Sequence, residues 1–230
     1  MPYYFLSQYY YVILVVPVLI LSLIASAKVN ANFKKYSKVL SKNNLTGAQA
    51  AFEILRYYGI TNVKIERVNG NLTDHFDPRS NVIRLSDNVY NSTSVAAIGV
   101  ACHEAGHAAQ YAEEYFPIKI RNGILPICSL GSRAGFPLAI IGMIINSRFL
   151  AILGVVFFSL AVLFELITLP VEFNASSRAI KVIGETNILY PDEKECAKTV
   201  LKSAAMTYVA SLAVGVANLL RLILMVKKDD

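Results

Sequence analysis

The chain has 230 residues, of which 55% are hydrophobic and only 17% are charged, and its mean hydropathy is +0.47. In soluble domains about a quarter of the residues are charged, so this composition excludes a wholly soluble protein. It predicts that part of the chain lies within a lipid bilayer. The net charge is +6, but no basic run with interleaved aromatic residues occurs, which argues against nucleic acid as a partner and for a membrane surface. The three cysteines are scattered, so no disulfide framework is expected.

Four apolar stretches predict about four transmembrane helices. They cover residues 11–27, 124–147, 149–171 and 204–226. The first has no basic segment before it and several lysines directly after it, which favours a retained anchor over a cleaved signal peptide. The second contains Pro126, Arg133 and Pro137, so a broken or partly re-entrant helix is an alternative there.

The segment between the first two stretches predicts a small α+β region. Residues 46–58 have helical spacing of apolar positions, with Thr46 as N-cap. Residues 63–85 alternate in the manner of strands, with turn signals at Asn69-Gly70 and Asp77-Pro78, and so predict a small antiparallel sheet of about three strands. The alanine-rich stretch of residues 91–116 then predicts a helix, with an N-cap in the cluster from Ser92 to Ser94.

The stretch "ACHEAGHA" in this helix carries the pattern H-E-x-x-H. His103 and His107 lie four residues apart, so both imidazoles face the same side of a helix and can bind one metal ion, while Glu104 stands beside that ion as a general base. A chance surface arrangement is the alternative. The small apolar neighbours instead indicate a packed helix, in which these polar groups need partners that a zinc ion provides.

A zinc site needs a third protein ligand, and two alternatives are open. One is His75, the only other histidine. The other is a carboxylate from the stretch "LPVEFNASSRAIKVI", in which Glu172 falls in the first turn of a helix. Glu172 could also simply cap that helix, but it emerges from the third apolar stretch on the same side as the H-E-x-x-H helix, which favours its role as a ligand. Gln110 and Glu113 exclude the longer motif that ends in a third histidine.

The motifs "ACHEAGHA" and "PVEFNASSRA", framed by an N-terminal anchor and further apolar stretches, resemble the membrane-bound neutral zinc metallopeptidases often called YugP-type. They are similar, more distantly, to the HtpX and CAAX prenyl protease group of gluzincins. The resemblance implies His103, His107 and Glu172 as ligands of one Zn²⁺ per chain and Glu104 as the catalytic base. The distant group has the pattern E-x-x-A-D, whose aspartate corresponds to Ser176 here, so no carboxylate at that position can hydrogen-bond a ligand histidine and orient its ring.

Lysine and arginine predict the orientation in the membrane. Twelve of the 22 lie in residues 28–121 and five in residues 172–203, so the positive-inside bias puts both segments on the cytoplasmic side of a multi-pass cell-membrane protein. The predicted domains are a transmembrane anchor (1–27), a cytoplasmic zincin-like region (28–121), a transmembrane hairpin (122–171), a cytoplasmic helical region with the third ligand (172–203) and a C-terminal transmembrane helix (204–230).

These features together predict a mainly α membrane protein that is a zinc metalloendopeptidase. Zinc activates a water molecule and Glu104 accepts its proton, and the candidate contacts to the oxyanion or the substrate are His75, Asn174 and Arg178. The expected partners are the lipid bilayer and a membrane-associated protein or peptide, which pairs with an exposed edge of "NLTDHFD" or "NVIRLS". Homo- or hetero-oligomers are left open. The alternative is a catalytically inactive zinc-binding protein that serves in assembly or quality control.

Overall fold

The computed structural model describes residues 9–228 and is mainly helical, as the sequence predicts. One π-helical turn, Tyr11–Val15, leads into the first α-helix. The elements in chain order are α1 (Val16–Tyr36), α2 (Gly47–Tyr57), β1 (Lys64–Val68), β2 (His75–Asp77), β3 (Val82–Ser86), α3 (Asp87–Tyr90), α4 (Val95–Ala112), α5 (Phe116–Ile144), α6 (Arg148–Glu185) and α7 (Pro191–Lys228).

The described chain forms two compact units. The apolar unit contains the residues up to Ser26, Lys119–Pro170 and the residues from Met206 onwards, and the mixed unit contains Ala27–Ile118 and Val171–Ala205. Four helices are long and apolar enough to cross a membrane, which agrees with the four predicted spans: Tyr11–Tyr36, Phe116–Ile144, Arg148–Glu185 and Pro191–Lys227. The finer division into five domains stays a prediction.

The second apolar stretch is one continuous helix. Pro126 and Pro137 both lie inside α5, so the expected alternative of a broken or re-entrant segment is wrong. The neighbouring α6 packs very closely against it within the apolar unit. A Cβ at Gly135 would lie 2.5 Å from the backbone nitrogen of Phe158, so only glycine allows this approach. Close backbone contact through small residues is the usual way in which helices associate in lipid.

In the mixed unit, α4 lies in the middle of the core. Ser94 caps its N-terminus by accepting a hydrogen bond from the backbone N–H of Ala97, at 3.3 Å. Six of its seven alanines are fully or almost fully buried, all except Ala112 at its C-terminal end, and α2 packs on it through Ala50, Ala51 and Ile54. Thr46 is the N-cap of α2, as the sequence predicts, and its capping box with Gln49 fixes the start of the helix.

The sheet has three strands in the order β1-β3-β2 and is mixed rather than wholly antiparallel. β2 pairs antiparallel with β3 across the predicted turn at Asp77-Pro78. β1 pairs parallel with β3, so Asn69-Gly70 does not form the predicted hairpin between β1 and β2. The central position falls to β3 because it is the most buried strand, whereas β1 is largely exposed. β2 is therefore an edge strand, and β3 is not.

Candidate metal centre

Two helices bring three metal-binding side chains together. His103 and His107 lie one turn apart on the same face of α4, and Glu172 lies on α6. One ligand atom from each residue lies within 4.8 Å of the other two. The Oε2 atom of Glu172 is 3.4 Å from Nε2 of His103 and 3.5 Å from Nε2 of His107. All three side chains are largely shielded from solvent.

These distances match the edges of a zinc coordination shell. Two ligand atoms that each lie about 2.0–2.1 Å from zinc at a tetrahedral angle are about 3.3 Å apart. The donor set of two imidazole nitrogens and one carboxylate oxygen is one that catalytic zinc sites use, with the fourth position left for water. The residues therefore fit a zinc ion in both chemistry and spacing.

The electrostatics of the cluster also favour a cation. Burial lowers the pKa of His107, but the hydrogen bond to Glu172 and the negative charges of Glu104 and Glu172 outweigh burial, so the pKa is raised above its ordinary value. Positive charge is thus stabilised at the point where the three ligand atoms meet.

The outer nitrogen of each imidazole has a polar partner. Nδ1 of His103 lies 3.0 Å from Oγ of Ser176, and Nδ1 of His107 lies 3.0 Å from Oε1 of Gln110. Contacts of this kind orient the rings and direct Nε2 towards the metal position. Ser176 thus retains a contact to a ligand histidine although the carboxylate of the distant group is absent.

Glu104 lies beside the cluster and faces the edge strand. Its side chain is buried, and Oε2 accepts a hydrogen bond from the backbone N–H of Phe76 on β2, at 3.0 Å. The ring of Phe76 packs edge-on against Tyr111 of α4, with ring centroids 5.3 Å apart. Strand β2 is therefore fixed next to the carboxylate that the motif assigns as general base.

The other residues selected from the sequence lie in different surroundings. His75 is exposed on β2, where Nδ1 contacts the carbonyl oxygen of Thr73 at 2.8 Å, and it is not part of the three-residue cluster. Oδ1 of Asn174 accepts hydrogen bonds from Gln110 and Arg178. The guanidinium of Arg178 also pairs with Glu113. The assignment of these three residues to the oxyanion or the substrate stays a prediction.

Gln110 is a polar residue of the site to which the sequence analysis gave no role. It lies three residues after His107, hence on the same face of α4, and it is fully buried. The signal that could have identified it was a single amide in an otherwise alanine-rich helical face, one turn beyond a metal ligand.

Comparison with known proteins identifies a zinc peptidase family. Residues 11–227 match the model of a protein family described as "Putative neutral zinc metallopeptidase". The chain belongs to this family. A relative in Bacillus subtilis (strain 168), named "Putative membrane protease YugP", is 44% identical over 214 residues, which cover 93% of this chain and 95% of the relative. No solved structure matches the chain. The resemblance stated from the motifs is thus confirmed, and the family member described here is a membrane protein.

Proposed function

We propose that this protein is a membrane-embedded zinc endopeptidase that hydrolyses peptide bonds in membrane-associated or juxtamembrane segments of other proteins. One observation carries the proposal. The Oε2 atom of Glu172 lies 3.4 and 3.5 Å from the Nε2 atoms of His103 and His107, which is the spacing of zinc ligands, and Glu104, the residue next to the first histidine, is buried beside them.

The side chains divide the chemistry between them. A zinc ion held by the two histidines and Glu172 would supply the activated water and polarise the scissile carbonyl. Glu104 accepts the proton of the attacking water and then donates it to the leaving amine. The backbone N–H of Phe76 holds the Glu104 carboxylate in place, which supports its role as the base. His75, Asn174 and Arg178 remain candidate contacts to the substrate or the oxyanion.

The edge strand supports an extended peptide as the substrate. Of the two candidate segments, β3 has neighbours on both sides, whereas β2 pairs only with β3 in the described sheet. Extended peptides commonly add to such an edge through main-chain hydrogen bonds. Because Phe76 of β2 contacts Glu104, a peptide on this edge would run beside the general base.

A substrate in or near the membrane follows from the position of Glu172 in its helix. Glu172 is the second residue after Pro170, and the apolar window of the same continuous helix α6 precedes it. The third ligand therefore follows directly on a span. We place the site on the cytoplasmic side because the two segments that contain it, residues 28–121 and 172–203, hold most of the lysines and arginines. Loops rich in these residues usually lie in the cytoplasm.

Metal content and proteolysis of four forms of the purified chain test the proposal. Glu104→Gln should keep one zinc and lose peptidase activity, since only the base is removed. Glu172→Ala should lose zinc. His75→Ala is the control: it removes a histidine outside the cluster and should keep zinc. Activity is measured in proteoliposomes on one cleavable segment, either free or tethered to a transmembrane helix, and the tethered form should be cleaved faster.

Each outcome has a distinct meaning. Zinc retained in Glu172→Ala but lost in His75→Ala would replace the proposed site with a three-histidine site. Zinc without activity in the wild type on either substrate would favour the catalytically inactive alternative. Equal cleavage of the free and the tethered segment would contradict the proposed substrate class and leave the peptidase assignment intact.

A further inference from the structure

The buried amide of Gln110 forms three hydrogen bonds at the metal centre. Nε2 donates to the carbonyl oxygen of Val171 at 2.8 Å and to Oδ1 of Asn174 at 2.9 Å, and Oε1 lies 3.0 Å from Nδ1 of His107. The side chain is 0% exposed. Burying an amide without hydrogen-bond partners costs free energy. Because both ends of this amide are hydrogen-bonded, it can orient the groups around it.

The partners of the Gln110 side chain determine which of its two terminal atoms is the oxygen and which is the NH₂ nitrogen. A backbone carbonyl can only accept, so the atom that contacts Val171 must be the NH₂ group. Asn174 agrees with this direction, because its Oδ1 also receives Nε of Arg178 at 2.7 Å and an arginine can only donate. The oxygen of Gln110 therefore faces His107.

This direction selects one tautomer of His107. An amide oxygen can only accept, so Nδ1 of His107 must carry the hydrogen, and the neutral ring then keeps its lone pair on Nε2. Nε2 is the atom that lies 3.5 Å from Oε2 of Glu172. His103 differs, because the Ser176 hydroxyl beside its Nδ1 can either donate or accept. Of the two candidate ligand histidines, only His107 has its tautomer imposed by the protein.

The same amide also connects the two helices that carry the ligands. Val171, whose carbonyl accepts from Gln110, directly precedes Glu172. We propose that Gln110 is a positioning residue of the metal centre, which fixes the tautomer of His107 and holds the α6 backbone next to Glu172 against the last turn of α4. This inference rests on the proposed zinc site and adds to it a residue that contacts neither metal nor substrate.

Zinc affinity of the full-length chain, measured by competition with a chelator, tests the proposal. Gln110→Met fills the same space without hydrogen bonds and should weaken zinc binding about 10- to 100-fold, the usual effect of losing such a partner. Gln49→Met is the matched control: it removes the capping-box amide of α2 and should lower the melting temperature without changing zinc affinity. Equal zinc affinity in wild type and Gln110→Met would overturn the proposal.

The histidine tautomers give a second readout, whose wild-type measurement does not depend on any variant folding. The chain has three histidines, so ¹⁵N NMR of the histidine-labelled, chelator-treated full chain at alkaline pH gives at most three ring spectra. His107 should show the Nδ1–H form. Gln110→Glu keeps an acceptor for this hydrogen and should retain the form, whereas Gln110→Met should lose it. A wild-type His107 in the Nε2–H form would overturn the inference even if zinc binds, and a wild type that binds no zinc would instead reject the proposed function.

Discussion

Serine at position 176 supports a ligand histidine without adding a charge. Its Oγ lies 3.0 Å from Nδ1 of His103, in the position where the distantly similar proteases have an aspartate. A hydroxyl accepts the Nδ1–H of a metal-bound imidazole less strongly than a carboxylate does, so His103 is held in place with less gain in basicity. The negative charge of the site therefore comes from Glu104 and Glu172 alone among the residues described around the three ligand atoms.

Ser176→Ala should weaken zinc binding about tenfold, because the Nδ1–H of metal-bound His103 then loses its acceptor in a shielded position. Ser177→Ala, one position further along the same helix and exposed, is the control and should leave zinc binding unchanged. Both affinities are measured by chelator competition. A Ser176→Ala chain as tight as the control would mean that the contact to His103 does not orient the ring.

The spacing of the two ligand helices depends on a glycine in the motif. Gly106 lies between the two histidines on α4, and a Cβ there would lie 2.6 Å from the carbonyl oxygen of Ala175 on α6. That oxygen is backbone and cannot move aside alone, so only glycine permits this approach. The three ligand atoms can meet because the two helix backbones come this close.

Gly106→Ala should separate α4 and α6, lower the stability by roughly 1–3 kcal/mol and weaken zinc binding, since overpacking forces the backbone to shift. Gly99→Ala in the same helix is the matched control. Its Cβ would lie 3.3 Å from the methyl group of Ala197, and the gain in helix propensity of about 1 kcal/mol opposes this milder contact. Thermal unfolding and zinc titration of both variants test this prediction. A Gly106→Ala chain with wild-type stability and zinc affinity would show that the spacing of the helices does not depend on this contact.

The sequence predicts those features that local periodicity determines. It does not predict which of two distant segments will pair with a given strand or side chain. Helix spacing puts His103 and His107 on one face, and the emergence of Glu172 from the third apolar stretch on the same side predicts that it lies near them. The predicted helix start at Pro170 is wrong, because α6 continues through this proline from Arg148 to Glu185. The turn signal at Asn69-Gly70 is equally local, but β1 pairs with β3 because burial decides which strand takes the centre. The role of Gln110 also depends on a distant carbonyl on α6, which no pattern around it reveals.

At the scale of the whole molecule, an even number of spans puts both ends of the chain on one side of the membrane. The predicted arrangement of four spans puts residues 28–121 and 172–203 on the opposite side from the termini, and these two segments contain 17 of the 22 lysines and arginines. In this arrangement, the short connection between α5 and α6 would lie on the side of the termini. The predicted orientation of this arrangement rests on the charge bias alone, and it would decide on which side of the membrane the candidate metal centre lies.

Labelling of single cysteines in intact cells tests this orientation. Cys102 and Cys128 are buried, so only Cys196 needs replacement by serine before new cysteines are introduced. A membrane-impermeant maleimide should label Ile145→Cys, in the short connection between α5 and α6, and should not label Asn62→Cys, which is exposed before β1. Both should react after permeabilisation, which shows that each thiol is accessible. The reverse pattern in intact cells would put all the candidate metal ligands outside the cytoplasm, because residues 28–121 and 172–203 share one side in any arrangement of four spans. The candidate substrates would then be extracellular or periplasmic segments.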